Sequence, residues 1–302
     1  MTGIRLSIRA CSLSDDLRTA ADLSRRLGYQ GLTLESVSAQ LDFTQLSVSA
    51  RRDIKHLLTR SQQELVALRS QLPVKGLLGD LDKVLWHIQR HTKAAADMNC
   101  NLLLLDAGRI LEPPRVASAR PKVAPKQAGP IIIPTGYDVD VPDESHYQPQ
   151  DPTLLPAWLQ IDQAMREIGK LADQYGVRLA IASDLSSHAA IQRAVRQAAC
   201  PWIGTDLDPV AMLRDSWTPE KILSELGDTI FHIRGRDALL GTGSRTQLTS
   251  ISRGNVQWQQ LFALLDQGAF HGWLTIDTMD LPDRTAEAGR AIMLLHKMLI
   301  PH

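Results

Sequence analysis

Asp208, Arg234 and Asp277 share one kind of position: each closes a short run of apolar and β-branched residues. The runs are 202–208, 229–234 and 272–277, and a related run at 177–181 precedes them. A helix-like stretch follows each run, so each reads as a strand feeding a crossover helix in a parallel sheet. In such a sheet the reactive groups gather at the carboxyl ends of the strands. Glu35 closes an earlier run, 31–35, and there could serve as a substrate ligand or a general base, the alternative being a plain rim carboxylate. His232 lies two residues before Arg234, so both share one face of their strand. Arg236, Arg245 and Arg253 follow Arg234 around a turn at 241–243. They read either as a pocket for a phosphate or carboxylate or as solvated loop charges, with Arg234 assigned to the pocket and His232 and Arg236 beside it as further substrate-binding candidates. For Asp208 and Asp277 the alternative to a site role is an ion pair with Arg234 that only holds the rim together.

The first half supplies the same rhythm. Alternation marks a strand over 4–8, and Ser14-Asp15-Asp16 offers a cap to a helix carrying Leu17, Ala20, Ala21, Leu23 and Leu27, which Gly28 ends. Strands follow at 31–35, 64–68 and 101–106, the last with four consecutive leucines, and helices at 49–60 and 82–99. Later apolar stripes place helices at 154–175, 189–199, 209–226, 256–267 and 284–299. Four strand-helix units before the midpoint and four after it make eight, the number at which a parallel sheet closes into a (β/α)8 TIM barrel without free edges. The expected organisation is thus α/β, a single domain over 1–302.

One stretch breaks the rhythm. Nine of the sixteen prolines fall between Pro113 and Pro152, so a long proline-rich insertion, about 108–156, follows strand four on the face where the site belongs. A segment of that length reads as a lid, a subunit contact or simple disorder, and Ile131-Ile132-Ile133 and Tyr137 give it something apolar to dock.

Composition narrows the partners. The 302 residues are 44% hydrophobic and 22% charged, as in a globular chain, and 33 basic residues balance 33 acidic ones. No overall field draws such a protein to nucleic acid or an anionic membrane, so a small-molecule substrate, neutral or locally anionic, is expected, with a homo-oligomer possible. Cys11, Cys100 and Cys200 show neither metal-ligand nor disulfide spacing and read as reduced thiols. The start lacks a signal peptide's apolar core and no run is long enough to span a membrane, so a cytoplasmic location is expected. His87 and His91 have helical metal spacing but no acidic partner motif, and the spacing is read as coincidence. No glycine-rich nucleotide fingerprint, serine elbow or phosphate loop is present.

Several segments together resemble the xylose isomerase-like TIM-barrel superfamily of sugar isomerases, sugar 3-epimerases and the endonuclease IV group. They are Tyr175-Gly176-Val177-Arg178-Leu179-Ala180-Ile181, Ile203-Gly204-Thr205-Asp206-Leu207-Asp208-Pro209, Phe231-His232-Ile233-Arg234-Gly235-Arg236-Asp237, and Gly254-Asn255-Val256-Gln257-Trp258 followed by Gly272-Trp273-Leu274-Thr275-Ile276-Asp277. In the first half, Leu27-Gly28-Tyr29-Gln30-Gly31-Leu32-Thr33-Leu34-Glu35 is similar to the family's opening strand pair.

The resemblance implies a divalent metal, Mn or Mg, at the barrel mouth, held by a glutamate, an aspartate, a histidine and a glutamate after strands five to eight. Carboxylates there shuttle a proton beside a polarised carbonyl. Here the strand-five position is Ala182 and the histidine position is Arg234, while Asp208 and Asp277 retain carboxylates. Asp184, two residues past Ala182, reads as a helix cap, with substitute ligation as the alternative. Any metal would thus be held by Asp208 and Asp277 alone, and a bound metal is not required. A guanidinium can take over part of a metal's work by stabilising an enolate or holding an anionic group. The expected function is an isomerase or epimerase for a sugar, polyol or related hydroxy-carbonyl compound, with Glu35, Asp208 and Asp277 catalytic. The alternative is a relative that lost its metal ligands and binds a ligand or partner. Endonuclease activity would need a basic groove and histidine ligands that the sequence lacks.

Overall fold

The computed structural model describes residues 3–112, 154–182, 186–242 and 245–299. Eight parallel strands close into a barrel: β1 (Arg5–Arg9), β2 (Gly31–Glu35), β3 (Glu64–Gln71), β4 (Leu102–Asp106), β5 (Arg178–Ala182), β6 (Ile203–Leu207), β7 (Ile230–Gly235) and β10 (Trp273–Ile276). Ser7 pairs in register with Thr275 across the β1–β10 seam, so the first and last barrel strands complete the ring. The insertion after β4, with Ile131, Ile132, Ile133 and Tyr137, falls almost wholly on residues 113–153, outside the described residues, as does Asp184.

Helices α1 (Leu17–Leu27), α2 (Val48–Arg60), α3 (Leu81–Asp97), α4 (Leu155–Tyr175), α5 (His188–Ala198), α6 (Pro209–Asp215), α7 (Pro219–Leu226), α8 (Trp258–Gln267) and α9 (Arg284–Leu299) surround it. Side-chain caps start them where the sequence offers one. Asp16 accepts from Thr19 N at 2.8 Å, and Gly28 ends α1 at φ +94°, a left-handed turn that a β-carbon disfavours. The stretch 209–226 is two helices rather than the single one its apolar spacing predicts. Pro219 cannot continue a helix because it lacks an N–H, so Ser216 turns left-handed at φ +54° and Thr218 caps α7 anew.

Strand alternation divides the core. Leu103 and Leu105 of β4 join the large layer between sheet and helices, while Leu102 and Leu104 meet Val66, Ala67 and Ala180 inside the barrel, with Phe231 and Trp273 against them. A parallel strand buried on both faces accounts for the leucine run, each fully buried leucine being worth about 2 kcal/mol. This apolar plug fills the amino-terminal end of the ring. Polar side chains fill the other.

The segment after β7 departs from the loop that the turn signal at 241–243 implied. It is an antiparallel hairpin, β8 (Asp237–Leu240) and β9 (Thr246–Thr249), outside the barrel order. Asp237 holds it, accepting from Ala238 N, Ser252 N, Val256 N and Trp258 Nε1 at 2.8–3.1 Å.

Candidate active site

Above the plug, a buried hydrogen-bond network crosses the barrel. Thr275 Oγ1 lies 2.7 Å from Ser7 Oγ, 3.0 Å from Thr33 Oγ1 and 2.6 Å from His232 Nε2. His232 Nδ1 stands 2.6 Å from Asp206 Oδ1, and Arg234 Nε donates to Asp206 Oδ2 at 2.6 Å. Burial opposes ionisation of Asp206, but Arg234 and His232 outweigh it and hold the carboxyl far below the usual range. His232 and Arg234 thus share the interior face, as their spacing requires, and both are engaged below the rim.

One layer higher lie the strand-end groups. Arg9, ending β1, donates from Nε to Glu35 Oε1 at 2.8 Å and from Nη1 to Asp277 Oδ2 at 2.9 Å, joining carboxylates from either side of its own strand. Asp277 is nearly buried. Its burial opposes charge, yet Arg9, Arg69 and Arg236 together lower its pKa. Glu35 keeps 26% of its side chain exposed, more than any other carboxylate paired here, so it is the one a small molecule reaches most easily. A cavity of about 270 Å³, lined in part by Ala10, Cys11, Leu34 and Leu41, adjoins it.

Asp208 has two duties. One oxygen caps α6 by accepting from Val210 N at 3.0 Å, and the other accepts from Arg236 Nη2. The rim ion pairs are therefore Asp208 with Arg236 and Asp277 with Arg9, whereas Arg234 serves Asp206. Arg245 and Arg253 stand exposed on and after the hairpin.

A divalent metal does not fit this donor set. The strand-five position is the buried, apolar Ala182, the strand-seven position is a permanent cation, and each remaining carboxylate already carries a guanidinium. Among the described residues no three His, Cys, Asp or Glu side chains converge as a metal group would need. His87 and His91 stack at 4.1 Å between centroids. They bind Ser70 and Ser36 respectively, and burial pulls His91 down to about 4. His188, at the start of α5, is buried on Asp215 at 3.1 Å.

Three site residues escape the strand-by-strand reading: Arg9, Arg69 and Asp206. Arg9 and Arg69 lie one residue beyond the ends expected for their strands, and Asp206 sits two before Asp208. The two-residue alternation that aligns His232 with Arg234 also aligns Ser7 with Arg9 and Asp206 with Asp208, and would have found them.

The architecture and its polar carboxyl end define a (β/α)8 barrel with a rim of carboxylates paired to guanidinium groups. The chain belongs to the xylose isomerase-like TIM barrel family, whose model matches residues 21–297. Among solved structures it is similar to a xylose isomerase domain protein from Planctomyces limnophilus, with TM-score 0.68 at 12% identity over 98% of this chain and 96% of that one. D-psicose 3-epimerase from Clostridium cellulolyticum H10, solved with D-tagatose, gives TM-score 0.68 at 12% identity over 98% and 100%. A 3-keto-D-glucoside 4-epimerase from E. coli gives 0.65 at 12% over 98% and 100%. At these identities the likeness is one of fold. No curated protein sequence matches the chain.

Proposed function

We propose that the chain is an isomerase- or epimerase-type enzyme that exchanges a proton beside the carbonyl of a small sugar or related hydroxy-carbonyl compound, using guanidinium groups at the rim. The observation that carries this reading is Arg9 fixed between Glu35 and Asp277, at 2.8 and 2.9 Å. In the step we derive, the Glu35 carboxylate removes the proton from the carbon next to the carbonyl. The electron pair moves onto the carbonyl oxygen as an enolate, and a rim guanidinium stabilises that oxygen. A proton delivered by water to the opposite face gives the epimer, with the first proton left on Glu35 and released to solvent. Return of the proton from Glu35 to the neighbouring carbon, as the hydroxyl there passes its own proton to the enolate oxygen, gives the isomer. Asp277 and Asp208 hold Arg9 and Arg236 in position for this.

We also place the protein in the cytoplasm, a reading supported by three free cysteines. Among the described residues no helix is long and apolar enough to cross a membrane.

Deuterium uptake from heavy water tests the function. With D-fructose, D-glucuronate and D-fructose 6-phosphate followed by proton NMR, the wild type should label one of them at the carbon beside the carbonyl. Glu35→Gln should slow that labelling about 100-fold or more. Labelling unaffected by this substitution would refute the assignment of Glu35. Saturable binding without any labelling would favour the second reading, a barrel that binds its ligand without turning it over. That reading draws on Asp208 and Asp277 both being occupied by arginines.

A further inference from the structure

Arg69 differs from the other guanidinium groups of the mouth. Arg9, Arg234 and Arg236 each donate to a carboxylate. Arg69 leaves β3 level with Glu35 on β2, and only 13% of its side chain is exposed. Among the described residues its side chain makes no hydrogen bond, and its one ionic contact is Asp277 Oδ2 at 4.0 Å. That same oxygen already accepts from Arg9 at 2.9 Å. Burial, then repulsion from Arg234 and Arg9, lower the proton affinity of Arg69 against the weaker attraction of Asp206 and Glu35, yet an arginine stays charged at neutral pH. A planar fork of five donors stands mostly buried at the mouth, beside two like charges, with its nitrogens still touched by solvent and no hydrogen-bonded acceptor of its own among the described residues. Such a group destabilises the empty mouth and gains most when an anion enters.

We propose that Arg69 anchors the anionic group, a carboxylate or a phosphate, of the substrate, so that the compound turned over is a sugar acid or sugar phosphate rather than a neutral sugar. This rests on the reading of the mouth as the active site and adds the substrate class to it. Geometry supports the pairing of tasks. Neighbouring strands lie about 4.8 Å apart, so an anion held by Arg69 brings the carbons next to it over Glu35, its register partner. A guanidinium meets both anions with two parallel hydrogen bonds, which fixes orientation as well as charge.

The test is calorimetric titration of the full chain with inorganic phosphate, glycolate and D-fructose, at fixed ionic strength in a chloride-free sulfonate buffer. Phosphate or glycolate should bind one per chain, and D-fructose should bind far more weakly. Tighter phosphate points to a sugar phosphate, tighter glycolate to a sugar acid. Arg69→Met should weaken the anion at least tenfold and Arg69→Lys by less. Arg5→Met, at the far end of the barrel, should leave it unchanged. Should Arg69→Met fail to fold, phenylglyoxal labelling of the wild type decides: phosphate should slow adduct formation at Arg69 at least fivefold. No anion binding by the wild type, equal binding by Arg69→Met, or labelling indifferent to phosphate would overturn the proposal. Proton exchange that survives with an unchanged KM in Arg69→Met would refute the anchor and leave the enzymatic reading standing. Anion binding through Arg69 without exchange would do the reverse.

Discussion

Asp206 meets His232 on one oxygen and Arg234 on the other, 2.6 Å from each, where no water reaches the carboxylate. Removing its charge takes the buried carboxylate from both His232 and Arg234, so Asp206→Asn should cost about 3–5 kcal/mol, read from urea denaturation at neutral pH. The same contacts set a pH dependence. Asp206, Asp277 and Asp215, the last held down to about 2, all ionise more readily in the fold than in the unfolded chain. Their stabilisation is therefore complete above an unfolded value of about 3.9 and is lost as pH falls through the folded values. Stability should drop below about pH 4, less steeply in Asp206→Asn. A slope as steep as that of the wild type would contradict this ledger of charges. Sequence alternation made the shared face of His232 and Arg234 legible. It could not say which carboxylate each would meet, because Asp206 in β6 and Asp208 just past its end stand two residues apart and only the closed ring selects between them.

Elements were legible where a cap or breaker stands at the boundary, as Asp16 and Gly28 do for α1, and misread where an apolar stripe runs through one, as at Pro219 between α6 and α7. The hairpin β8–β9 was hidden for another reason: its strands are four residues each, too short to show an alternation, and it is held by one acid reaching well ahead in the chain. Asp237 is its keystone. Burial raises the Asp237 carboxyl even though four N–H groups donate to it. Asp237→Ala leaves those donors without their acceptor and should cost about 3 kcal/mol, seen by urea denaturation. It should also open the 237–249 segment to limited proteolysis, and because Arg236 adjoins it, loosen the grip on Asp208. An unchanged digestion pattern would show that the hairpin stands without it.

Taken as a molecule, the chain has an apolar end, where Trp273 and Phe231 close the barrel floor, and a charged end, where the strand-end residues of distant segments converge. Eight strand-helix units made that convergence readable before any coordinates. The pairing of the rim carboxylates with guanidinium groups was only half readable, since Ala182 and Arg234 lack the ligand atoms that the resemblance implies but do not announce that Arg9 and Arg236 occupy the carboxylates left over. The most direct test is a crystal soaked in manganese and measured at the metal's absorption edge. Arginine-held carboxylates predict no anomalous peak between Asp208 and Asp277, with Arg236 and Arg9 still seated on them. A strong peak ligated by both aspartates, with the two guanidinium groups swung away, would contradict the account.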